Sequence, residues 1–198
     1  MERYEEIKKI IKDSKGIVNS KFLNENAISN YYINKLLKDK LIERIERGIY
    51  IRTDIFKDEF YILQQKSNKI VFSYNTAMYF LGETERTPDL IDVTTYKGFN
   101  KHRMPKNTRV HYVNKENLYL GAIKVESPGG FEVISYNLER ILCDLIKNRE
   151  TGVDKEQTNK FIKEMFIKNK IDSSLAIEYS KKLKCEKKLR NVMEVFIW

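Results

Sequence analysis

The sequence predicts an α+β chain in two parts: three short helices closed by a hairpin, then a small mixed or antiparallel sheet with a helical C-terminal part. Three observations carry this. Across residues 28–52 a helical apolar period switches abruptly to a strand period. Between Lys69 and Tyr136, short apolar runs alternate with turn residues. Beyond Tyr136 the pattern is helical to the end of the chain.

The first helix is expected from about Arg3 to Ser14, with Tyr4, Ile7, Ile10 and Ile11 inward and Gly16 ending it. Asn19 or Ser20 opens a second helix holding Phe22 and Leu23. Asn24, Glu25 and Asn26 make a turn. Ser29 is then placed to cap a third helix whose inward stripe is Ile33, Leu36, Leu37 and Leu41. Ile45, Ile49 and Ile51 alternate among Arg44, Arg47 and Arg52, with Gly48 as the turn residue of a hairpin. Helix-turn-helix followed by a basic hairpin is a winged helix, assigned to residues 1–53. Phe56, Phe60 and Leu63 recur at i, i+4 and i+7, so Ile55 to Lys66 reads as a connecting helix within a link of 54–68.

A second domain is expected over 69–198. Ile70 to Phe72 is a short strand, and Ser73 caps a helix holding Ala77, Met78, Phe80 and Leu81 that Gly82 closes. Further strands are expected at Leu90–Thr95, Arg109–Val113, Ala122–Glu126 and Phe131–Ser135, with Pro128-Gly129-Gly130 as a turn. Helices follow at Asn137–Lys147, Asp154–Asn169, Asp172–Lys184 and Glu186–Ile197.

The formal charge is +9. The first 52 residues carry +4 of it and the remaining 146 carry +5, so charge density is higher in the N-terminal part. No stretch approaches the roughly 20 apolar residues that span a bilayer. The charged start MERYEEIKKI lacks the apolar core of a signal peptide, which points to a cytoplasmic protein with no membrane partner. Cys143 and Cys185 read as buried free thiols. His102 and His111 have no partner at metal-ligand spacing, so neither metal nor cofactor is expected.

The face of the third helix opposite its apolar stripe carries Ser29, Asn30, Tyr31, Asn34, Lys35 and Lys38. Amides and a phenol can hydrogen-bond base edges in a major groove, and ammonium groups can neutralise phosphates. Arg44 and Arg47 place guanidinium groups on the hairpin, whose tip reaches the neighbouring groove. A second run of bases contains no acid between Asp92 and Glu116: Lys97, Lys101, Arg103, Lys106, Arg109 and Lys115. It reads either as a further nucleic-acid contact or as a solvated loop. Double-stranded DNA is the expected partner.

Several motifs, taken in order, resemble the antitoxins of the bacterial AbiE toxin–antitoxin systems, the AbiEi family. They are the wing from Leu41 to Tyr50; the segment Phe72 to Gly82, followed by Thr87-Pro88 and Asp92-Val93-Thr94; Gly98 to Arg103; and Tyr136 to Ile146. The resemblance implies a winged helix joined to an antitoxin domain. It implies repression of the chain's own operon through inverted repeats in the promoter DNA. It also implies action against a co-encoded toxin of nucleotidyltransferase fold, as in type IV systems. One position departs: Tyr74 stands where a histidine is expected in a Ser-His-x-Thr-Ala pattern.

Within the antitoxin-like domain the candidate residues are Arg140 and Asp144, at i, i+4 on one helix, and Lys181, Lys184 and Lys188 on a basic outer face. Arg140 and Asp144 also read as a structural ion pair. An enzyme is not expected. Pro88-Asp89 starts a nuclease-like pattern, but in the strand Ala122–Glu126 the Lys precedes the Glu, and no phosphate loop, nucleophile elbow or HExxH occurs. The alternative is a ligand-responsive winged-helix regulator.

Overall fold

The computed structural model describes residues 2–14, 16–148 and 155–197. Its contacts divide into two compact units. The first is Met1–Asn68 with Glu126–Phe131, and the second is Lys69–Val125 with Glu132–Trp198.

The first unit runs α1 (Glu2–Asp13), β1 (Ile17–Asn19), α2 (Ser20–Glu25), α3 (Asn30–Lys38), β2 (Ile42–Glu46), β3 (Ile49–Arg52) and α4 (Glu59–Lys66). Its strands form a three-stranded antiparallel sheet in the order β1-β3-β2. Alternation sends Val18, Ile42 and Tyr50 to the helical side, where they meet Ile7, Ile11, Leu23 and Leu36. Ile17, Ile49 and Ile51 point the other way, toward Ile62 and Phe131. Each fully buried aliphatic side chain contributes about 1.5–3 kcal/mol. Tyr61 stacks on Phe131 with ring centroids 4.3 Å apart.

Several expectations need correction here. Strand β1 was not expected; three residues are too few to show a period, and β3 supplies its partner. Leu41 lies beyond the end of α3 and is 39% exposed, while Ile42 takes the inward place. Phe56 is 70% exposed and precedes α4, which starts at Glu59 because Asp58 caps it. Ser29 and Ser73 occupy cap positions without a side-chain cap bond.

Asp58 is 1% exposed and holds two parts of the first unit together. One oxygen accepts from the Tyr61 amide at 2.9 Å, capping α4. The other accepts from the Ser127 hydroxyl at 2.6 Å and the Gly129 amide at 2.8 Å. A Cβ on Gly129 would stand 2.6 Å from that oxygen, so the close approach requires glycine.

The second unit runs β4 (Val71–Phe72), α5 (Tyr74–Phe80), β5 (Ile91–Tyr96), β6 (Thr108–Val113), β7 (Ala122–Glu126), β8 (Glu132–Tyr136), α6 (Leu138–Lys147), α7 (Lys155–Ile167), α8 (Ser173–Lys182) and α9 (Glu186–Ile197). The sheet order is β6-β5-β4-β8-β7. It is mixed: β4 is antiparallel to β5 and parallel to β8, and β5 is parallel to β6. Helix α6 contacts α5, α8 and α9, so every residue from Arg140 to Ile146 is buried. The Asp154 start expected for the seventh helix lies outside the described residues. Among the described residues no helix is long and apolar enough to cross a membrane.

Candidate nucleic-acid interface

Helix α3 presents the expected polar face. Ile33 and Leu36 are buried, while Ser29, Asn30, Tyr31, Asn34 and Lys38 are exposed. The 3.6-residue period puts Asn30, Asn34 and Lys38 in one row, with Tyr31 beside it. No acidic residue interrupts that row. Tyr31 is 68% exposed and packs edge-on against Tyr32 at 5.2 Å, which orients the phenol outward.

Lys35 does something else. Its ammonium sits 4.1 Å from the centroid of the Tyr4 ring, and Lys8 lies 4.7 Å from the same centroid. The Tyr4 hydroxyl donates to Asp39 at 2.7 Å. Burial, with the Asp39 hydrogen bond and charge adding to it, pushes that phenol up to about 12. Lys35, half-buried at the edge of the polar face, thus packs α3 against α1.

The wing is a tight β2–β3 hairpin. Its register slips between Arg44 and Glu46, leaving Ile45 as the bulge. Gly48 has φ +81°, and a Cβ there would meet the Ser20 hydroxyl at 2.5 Å. The Ser20 amide donates to the Gly48 carbonyl at 2.8 Å. Arg47 is exposed beside this turn. Arg44 is exposed as well, its Nε donating to the Glu46 carbonyl at 3.2 Å.

Sequence reasoning placed Asn19 or Ser20 at the start of the second helix but gave neither a role in holding the wing turn or α4. The Asn19 carbonyl oxygen caps α2 through the Phe22 amide at 2.9 Å, and its amide donates to Gln65 at 2.7 Å. These bonds tie the start of α2 to both the wing turn and α4. The only signal available was an Asn-Ser pair of cap-forming type.

In the second unit the basic run splits. Lys97, Lys101 and Lys106 are exposed, and Asn100 caps a short 3₁₀ turn at Lys101–Arg103 by accepting from the His102 amide at 3.0 Å. The Arg103 side chain lies outside the described residues. Arg109 turns inward, 3.3 Å from the carboxylate of Asp92, which is fully buried. His111 contacts the same carboxylate oxygen at 2.7 Å. Its ring stacks on Tyr74 at 3.9 Å, and the Tyr74 hydroxyl accepts from Asn148 at 2.8 Å. Tyr74 is buried and its phenol is pushed up, mainly by desolvation.

Arg140 and Asp144 are corrected from contact candidates to an interior pair. They are 0% and 3% exposed, with Nε 3.0 Å from the carboxylate. Arg140 also donates to the carbonyls of Asn117 and Leu120 at 2.8 and 2.7 Å, and its guanidinium lies 4.1 Å from the centre of the Tyr136 ring. They have no surface to offer a macromolecule. Lys181, Lys184 and Lys188 are exposed as expected, with Lys188 donating to the Lys147 carbonyl at 3.2 Å.

Three helices, a buried sheet and a hairpin wing beside an unobstructed polar helix face define a winged helix-turn-helix of the kind used by DNA-binding regulators. Residues 5–53 match a family model described as transcriptional regulator, AbiEi antitoxin. The match spans α1 to the end of the wing. No curated protein matches the chain.

Proposed function

We propose that this chain represses its own operon by binding inverted repeats in promoter DNA, and counteracts a co-encoded toxin of nucleotidyltransferase fold. The carrying observation is the exposed, acid-free face of α3 beside Arg47, within the segment that matches the family. In this reading Asn30, Tyr31 and Asn34 read base edges, while Ser29, Lys38, Arg44 and Arg47 hold phosphates. Lys97, Lys101 and Arg103 form a second nucleic-acid contact on the second unit. Lys181, Lys184 and Lys188 face the toxin. The protein performs no catalysis in either role.

The DNA reading is tested by anisotropy titrations of the full chain on its own promoter. Asn34→Ala is expected to cost about 1–3 kcal/mol and relax discrimination at one base pair. Arg47→Ala or Lys38→Ala should weaken binding to every sequence and lower the salt slope by about 1 each. Wild-type affinity in an Asn34→Ala, Arg47→Ala double variant would refute it.

The toxin reading is tested by growth on co-expression with the co-encoded nucleotidyltransferase that it proposes. Charge reversal at Lys181 and Lys184 is expected to reduce rescue while circular dichroism and promoter affinity stay unchanged. Full rescue by that variant removes these lysines from the toxin contact.

A further inference from the structure

An open groove of about 610 Å³ lies among α6, α7 and α9. Its floor is aliphatic, from Ile146, Ile162, Val192 and Val195, and its charged lining among the described residues is Lys163 and Lys188. Val195 is 72% exposed, an unusual position for a β-branched apolar side chain on a charged helix. Three other bases of the helical part are matched by a carboxylate four residues away: Lys168 by Glu164, Lys182 by Glu178 and Arg190 by Glu186. Among the described residues, no carboxylate lines the groove to match Lys163 and Lys188.

We propose that this groove docks an amphipathic helix of a partner protein, one that presents an apolar row flanked by aspartate or glutamate. An aliphatic floor and two ammonium groups with no carboxylate beside them among the described residues together select that chemistry. An apolar row at i, i+3/i+4 and i+7 fills a groove between helices, and the flanking carboxylates reach the two lysines. Single-stranded nucleic acid fits poorly, because among the described residues the lining has no aromatic ring on which bases could stack. The inference goes beyond the toxin reading: it commits to the partner's chemistry and stands whichever gene encodes it. It uses no residue of the winged helix.

The test selects a displayed library of helical peptides, about 18 residues long, on the full-length protein. A Val195→Glu, Lys163→Glu variant serves for counter-selection. Both positions are exposed, so the variant should fold, and unchanged promoter affinity and circular dichroism check it. Recovered peptides are expected to share an apolar i, i+3/i+4, i+7 row with flanking carboxylates. In anisotropy they should bind the variant about tenfold more weakly or worse, the equivalent of one buried contact. Exchanging their carboxylates for lysines should abolish binding to wild type. Recovery of peptides without carboxylate enrichment, no recovery, or equal binding to variant and wild type would overturn the proposal. So would self-association of the wild type that the two substitutions abolish, since it would assign the groove to a second copy.

Discussion

Arg140→Met is expected to destabilise the second unit by about 3–5 kcal/mol, because it strands a buried carboxylate. Met fills much the same space but supplies none of the hydrogen bonds to Asp144, Asn117 and Leu120. Burial holds the Asp144 carboxyl above the usual carboxylate range, with Arg140 pulling the other way. Removing Arg140 drives it further up. A carboxyl whose folded value exceeds its unfolded one binds more protons in the folded state between those values. Stability from this group is therefore present below the unfolded value and is lost as pH rises toward the folded one. The deficit of Arg140→Met should be greatest near neutral pH and shrink as pH falls into the ordinary carboxylate range. Adding Asp144→Leu should recover most of it. Denaturant melts across pH read both effects. A deficit that ignores pH, together with a double variant no better than the single, would show that the pair is not electrostatically coupled.

Asp58→Ala is expected to cost the first unit about 3–5 kcal/mol, the sum of a lost helix cap and two lost bonds to a buried acceptor. Asp58→Asn separates the contributions. The asparagine carbonyl oxygen can still accept from the Tyr61 amide, but its NH₂ cannot accept from Ser127 or Gly129. Its melting temperature should fall between wild type and Asp58→Ala. If Asp58→Asn melts with wild type, the contacts to Ser127 and Gly129 contribute nothing.

The parts of this fold legible in the sequence are those where one side chain pattern decides one element. Ile33 and Leu36 mark the inner face of α3, and the change of period after Leu41 marks the wing. What stayed hidden depends on residues distant in the chain. Lys35 reads as a phosphate contact until Tyr4 is seen beneath it. Arg140 and Asp144 have the spacing of a surface ion pair; only the packing of α5, α8 and α9 around α6 buries them. Phe56 misled by falling on a helical period with Phe60 and Leu63, while Asp58 starts the helix two residues later and leaves Phe56 outside it. The acid-free run after Asp92 was visible as charge. Its division into exposed Lys97, Lys101 and Lys106 and inward Arg109 needed the β5–β6 pairing that sets Arg109 opposite Asp92.

The discontinuity of the first unit bears on how the protein is made. Its winged-helix elements leave the ribosome first, yet the donors to one Asp58 oxygen, and the ring that stacks on Tyr61, belong to residues 126–131. Residues 69–125 must be translated before those partners exist. Until then the nascent winged helix carries a carboxylate oxygen and an aromatic face that only water can satisfy. Domains ordinarily complete themselves in the order of synthesis; here the earliest part finishes late. A ribosome that stalls or a gene that is cut shortly after α4 releases a winged-helix segment without its last stabilising contacts, which favours protease clearance of interrupted products.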